Sequence, residues 1–208
     1  MKKLAVLLAA SAFATSAMAA ETSNMTGFYV GANGGYGVGK TTAKNATAET
    51  KGTMALDGFL GGLHAGYQKD FGCLVAGLEG HGYLSNTKGS EVTSATDSLT
   101  AKRKHGLGVS GRFGAKLNSW LTYVKVGYDR AKFTSTEKEN GVTLPSKSKN
   151  LNGLVLGLGA ETMVSSNVAL GAEITQTLYK GYTVKTAATN VKINNRVADF
   201  KLRLSYKF

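Results

Sequence analysis

Gly34-Gly35-Tyr36-Gly37-Val38-Gly39-Lys40-Thr41 satisfies every fixed position of G-x-x-x-x-G-K-[ST]. That spacing cradles phosphate when a buried strand precedes the glycines and a helix follows them, so that backbone N–H groups face the anion. Here the glycine run itself reads as a strand, residues 41–52 read as a polar loop, and no strand ends in a magnesium-binding Asp. The glycines are better suited to keeping the first strand slim where it closes on the last. His64, Glu79 and His81 form a second set. Two imidazoles and a carboxylate can hold zinc, but these have no defined spacing on one rigid element, and polar filling of an interior accounts for them. Serines are plentiful in the polar segments without a histidine–acid pair beside them, so a nucleophile, base and orienting acid do not assemble. No catalytic residue, metal or cofactor is expected.

The elements that must carry these side chains are strands. At the chain end, Phe200, Leu202, Leu204, Tyr206 and Phe208 alternate with Lys201, Arg203, Ser205 and Lys207. This period of two gives one apolar and one charged face. A closing strand with an uncovered apolar side makes sense where lipid covers it. Similar alternation recurs near residues 27–39, 55–69, 74–85, 104–117, 120–133, 151–164, 168–180 and 192–208. Short connections at 69–73, 118–119 and 165–167 alternate with long polar ones at 40–54, 86–103, 134–150 and 181–191. Short periplasmic turns opposite four long external loops describe an all-β, eight-stranded antiparallel up-and-down transmembrane barrel in a bacterial outer membrane. Outward sets such as Val30, Ala32, Tyr36 and Val38, or Phe59, Leu63, Ala65 and Tyr67, would face lipid, with Trp120 at an interface belt.

Inward positions then carry charge. Counting back from each turn pairs His64 with Glu79, Arg112 with Lys125 and Glu161 with Glu173, with Arg203 and Asn33 at the matching height. The six full charges sum to zero. Charges removed from water need partners and hydrogen bonds, and an eight-strand interior is narrow enough for side chains to fill. The layer is therefore read as a salt-bridged plug, with an ion path or gate as the alternative.

The other end of the chain fits export. Met1-Lys2-Lys3, the apolar run 4–14 and Ala17-Met18-Ala19 read as a secretory signal over residues 1–19, leaving 20–208 as one barrel domain. The apolar run is shorter than the ~20 residues of a spanning helix. Glycine, at 27 of 208 residues with one proline, fits closely packed strands rather than a disordered tail. A lone Cys73 cannot form an internal disulfide. The formal charge of +12 raises nucleic acid as a partner, but export redirects it to lipopolysaccharide phosphates or host-surface polyanions. Lys88, Lys102, Arg103 and Lys104 are read as loop charges offset by Glu91 and Asp97, whereas Lys180, Lys185, Lys192 and Arg196 face no acid. Two readings stand for these basic loops: neutralising lipopolysaccharide beside the wall, or adhesive contact with a polyanion or matrix ligand.

The segment 27–37 (GFYVGANGGYG), Gly66-Tyr67, Gly77-Leu78-Glu79-Gly80 and the closing FKLRLSYKF resemble the outer membrane protein beta-barrel domain family over the whole mature chain. That family includes small alphaproteobacterial surface antigens and is similar to the OmpA transmembrane domain and the Ail/Lom proteins. The resemblance implies an integral outer-membrane protein with a structural or surface-interaction role. Its members are often labelled porins, and a small diffusion channel is the alternative. It also implies that Leu204, Tyr206 and Phe208 form the signal read by the barrel-assembly machinery.

Overall fold

The computed structural model describes residues 25–45, 51–92, 98–117, 119–139, 142–143, 146–185 and 190–208. The expected leader, 1–19, lies outside them. Among the described residues no helix is long and apolar enough to cross a membrane. The structure is all strand: β1 (Gly27–Asn45), β2 (Lys51–Asp70), β3 (Leu74–Ser85), β4 (Lys88–Val92), β5 (Ser98–Leu117), β6 (Trp120–Glu139), β7 (Val142–Thr143), β8 (Lys147–Met163), β9 (Val168–Lys185) and β10 (Asn190–Lys207). Two segments are extensions rather than further staves. β4 carries β3 onward past Asn86–Thr87, pairing with both β2 and β5. β7 pairs with β6 above β8. Eight antiparallel staves thus remain, and β1 pairs with both β2 and β10, which closes the cylinder.

Stepping across paired residues measures the stagger. Val30 pairs with Ala65, Ala65 with Gly80, Gly80 with Val109, and Val109 with Tyr128. Tyr128 then pairs with Leu154, Leu154 with Leu178, Leu178 with Arg196, and Arg196 with Lys40. The circuit leaves β1 at Val30 and returns at Lys40, a shear of ten residues on eight strands. With strands ~4.8 Å apart this sets a tilt of about 40° and a backbone radius of about 8 Å. Side chains can fill such a cylinder.

Each strand turns one face to each side. Outside, Leu63 is 70% exposed, Leu78 74% and Leu202 62%. Such values are tolerable only against lipid, since large contiguous apolar surface is rare in water. The outward apolar run spans Phe28 to Val38 on β1 and Ala198 to Phe208 on β10. At ~3.3 Å per residue and this tilt, it covers about 25 Å, the height of a barrel's apolar band. The strands continue beyond the band, so they are longer and the loops shorter than alternation alone indicates. Above the lipid nothing enforces an apolar face, yet ladder hydrogen bonds still stabilise extended chain.

The periplasmic end is tied by a carboxylate. Asp70 accepts hydrogen bonds from Met25 N at 3.1 Å, Lys116 Nζ at 2.6 Å and Gly72 N at 2.8 Å. Burial works to raise its carboxyl pKa, but these donors outweigh it and hold the group below its ordinary value. The clasp is therefore present above the ordinary carboxylate pKa and is lost only as pH falls through the lower folded one. Cys73 lies exposed in the adjoining turn as a free thiol.

Candidate functional site

The barrel interior holds two ionic tiers. In the lower one, Glu79, Glu161 and Glu173 sit among Arg112, Lys125 and Arg203, all at most 4% exposed. Lys125 Nζ lies 2.6 Å from Glu79 and 2.8 Å from Glu173. Arg203 bridges the same two carboxylates, 3.0 Å from Glu173 and in direct contact with Glu79. Arg112 Nη2 reaches Glu161 at 2.8 Å, while its other amino group is 3.5 Å from Glu79. Tyr29 and Tyr123 donate hydroxyl hydrogen bonds to Glu79 and Glu173 at 3.0 and 2.9 Å. The Arg112 guanidinium lies 3.9 Å from the centre of the Tyr123 ring. His64 completes the level, hydrogen-bonded to Ser205 at 2.9 Å and to Asn33 at 3.4 Å.

All seven lumen residues read from the sequence (His64, Glu79, Arg112, Lys125, Glu161, Glu173 and Arg203) point inward in one connected layer. Their hairpin partners differ from the turn count. His64 lies opposite His81 and Gly66 opposite Glu79; Glu161 lies opposite Gly171 and Gly159 opposite Glu173. Only Arg112 and Lys125 pair directly. The layer is also not neutral. Lys201 approaches Glu173 at 3.1 Å and Lys207 approaches Glu161 at 2.9 Å, so five cations surround three carboxylates.

Sequence reasoning misses the upper tier. Arg103, assigned above to a loop, is 1% exposed inside the wall. It makes a two-pronged pair with Asp199 at 3.0 and 2.6 Å. A register shift in β5 between Arg103 and His105 turns its side chain inward. Next to it, Tyr83 and Tyr179 both donate to Asp129 Oδ2, at 2.9 and 2.8 Å. His81 Nε2 lies 3.6 Å from Asp129 Oδ1. His64 and His81 are therefore committed to different tiers. Among the described residues no group of three His, Cys, Asp or Glu side chains could hold a metal.

Apolar layers bound this charged core. Leu56, Leu151, Val197, Ala131 and Phe133 are buried on the external side. Met25, Val75 and Leu121 are buried with Tyr123 on the periplasmic side. Outside the wall, Lys180 and Arg196 are exposed on β9 and β10, and Leu204, Tyr206 and Phe208 face outward at the chain end. Lys185 and Lys192 occupy the same two strands, but their side chains lie outside the described ones. Gly34 to Lys40, the phosphate-loop look-alike, is part of β1, with no helix to complete a phosphate cradle.

The model of the outer membrane protein beta-barrel domain matches residues 5–208. A 25 kDa outer-membrane immunogenic protein of Brucella melitensis is 28% identical over 182 residues, covering 88% of this chain and 78% of that protein. A 31 kDa outer-membrane immunogenic protein of the same organism is 27% identical, with both chains covered in full. Among solved structures, Neisserial surface protein A is 17% identical with a TM-score of 0.48, covering 88% of this chain and 98% of that one. The OprG protein of Pseudomonas aeruginosa is 12% identical with a TM-score of 0.46, covering 89% and 99%. With the family model matching nearly its whole length, and with eight staves closing around a filled interior, this chain belongs to the outer membrane protein beta-barrel domain family and resides in the outer membrane.

Proposed function

We propose that this protein acts through its surface, contributing to envelope integrity and contact with anionic partners, and that it neither conducts solute through a wide pore nor catalyses a reaction. The sealed interior carries this reading. Two interlocked ionic tiers lie between buried apolar layers, so an ion crossing the barrel would have to break several buried pairs and then desolvate at each end. The decisive measurement is planar-bilayer recording of the refolded full chain. No steady conductance is expected; a reproducible open level would overturn the reading in favour of a small diffusion channel.

The partners are outer-membrane lipid with lipopolysaccharide, the barrel-assembly machinery through Leu204, Tyr206 and Phe208, and a host-surface polyanion or matrix ligand through Lys180, Lys185, Lys192 and Arg196. The Brucella relatives are named as immunogenic outer-membrane proteins, a property that surface display would produce. Neutralising the four cations to Gln is expected to weaken heparin retention at about 0.1 M salt, where exposed charges act over ~10 Å. Retention equal to that of the parent would reject polyanion contact.

A further inference from the structure

The outer wall carries a groove over β3. On that strand the outward positions between Leu78 and Leu84 are Gly80 and Gly82, which have no side chains. Their partners do: Leu63 and Ala65 on β2, Leu107 and Val109 on β5. Two ridges therefore flank a bare strand and leave an almost wholly apolar groove of about 850 Å³. A Cβ placed on Gly80 would meet nothing closer than 3.9 Å, so the space over it is open; one on Gly82 would lie 2.8 Å from Leu107 Cδ2, so that end of the slot is overhung by a side chain that must swing aside. Leu84 lies six residue steps beyond Leu78, about 20 Å of chain, which is the scale of one extended acyl tail.

A cationic cluster stands directly above this slot. Lys88 pairs with Lys102 across β4 and β5. Lys102 and Lys104 flank the inward Arg103 and so face outward. Leu84, at the top of the slot, pairs with His105, which in turn pairs with Lys132 of β6. Asp57 lies opposite Lys88, and its carboxylate accepts the Tyr36 hydroxyl at 2.5 Å; the side chain of Glu91, on β4, lies outside the described ones. No ion pair to a carboxylate forms at Lys88, Lys102, Lys104 or Lys132 among the described residues. Like charges held side by side are unfavourable unless an anion sits between them. The cluster lies just beyond the apolar band, at the depth where outer-leaflet headgroups carry their phosphates.

We infer that this face is a seat for one phosphorylated, acylated glycolipid of the outer leaflet, with an acyl chain lying over Gly80 and Gly82 and a phosphate held by Lys88, Lys102 and Lys104. The assignment rests on the surface-acting reading above, but bilayer conductance is a separate readout, so either can fail alone. The two halves are mutually reinforcing. Cations alone would bind any polyanion, and a greasy slot alone would take any lipid tail; together they select a lipid bearing phosphate at its head.

The test is native mass spectrometry of the folded full chain in detergent, titrated with bis-phosphorylated lipid A and with its dephosphorylated form. The parent should carry one tight adduct of the phosphorylated lipid only. Gly80→Leu keeps every charge and fills the slot. Losing contact with even two methylenes weakens binding about tenfold. Ala65→Leu fills the slot from the neighbouring strand and covers the case in which the first variant fails to fold, with heat-modifiable gel migration reporting folding. K88Q/K102Q/K104Q should lose the adduct. Equal binding by the slot-filled variants, by the triple lysine variant, or of the dephosphorylated lipid would overturn the assignment.

Discussion

Glu79→Ala is expected to cost the barrel about 3–5 kcal/mol, the usual consequence of leaving buried charge without its counter-ion. Glu79 is the node of the lower tier. Arg203 and Lys125 contact its carboxylate directly, Arg112 stands 3.5 Å away, and Tyr29 donates a hydroxyl hydrogen bond to it. Without it, five cations would share two carboxylates inside a cylinder of about 8 Å radius. Arg112→Ala should cost less, because Glu161 keeps Lys207 at 2.9 Å. Urea unfolding of the protein refolded into lipid vesicles would show the order. A Glu79→Ala/Arg203→Met double variant should recover part of the loss, since the change removes an uncompensated charge and leaves a chain that still fills space. A Glu79→Ala midpoint equal to that of the parent would refute the role of the tier.

Why the lower tier was legible, and the upper one not, follows from the periodicity of strands. A slip of one residue turns a side chain through the wall, whereas a slip of two leaves it on the same face. Turn counting placed the β2–β3 and β8–β9 hairpins two residues out. The reason is visible in the turns: Phe71 N bonds Leu74 O and Val164 N bonds Val168 O, so the β2–β3 reversal is centred one residue later than the count assumes and the β8–β9 reversal one residue earlier. Facing was preserved while partners were lost, which is why Glu79 was recognised as inward but opposed to His64. In β5, by contrast, Lys102-Arg103-Lys104-His105 reads as a basic loop, and only the bulge turns Arg103 inward. A signal was present on the partner strand. Asp199 shares the inward register of Lys201 and Arg203, and a carboxylate aimed into a narrow barrel requires a cation. The apolar layers were hidden for a different reason: Leu56 and Leu60 lie on the inward face of β2, where alternation leads one to expect polar residues.

Gly35→Val is expected to prevent closure, whereas Gly34→Ala, one residue away, is expected to be silent. Both lie in β1 where it zips to β10, with Gly34 opposite Leu202 and Gly35 opposite Lys201. Gly34 faces outward, and a Cβ there would meet nothing within 4 Å. Gly35 faces inward, and a Cβ there would run into the carbonyl oxygen of Phe200 and lie 2.9 Å from Lys201 Cα. Overpacking against flexible side chains costs about 1–3 kcal/mol; here the obstacle is the backbone of the partner strand, which cannot move without parting the ladder. The seam joins the first and last strands and has the longest sequence separation in the barrel, so it can form only once the other staves are aligned. Gly35→Val should therefore accumulate as chain that is not heat-modifiable on gels and that protease digests, while Gly34→Ala migrates and resists like the parent. A compact, resistant Gly35→Val barrel would show that the seam tolerates bulk, and would remove the structural reason for the glycine-rich start of this chain.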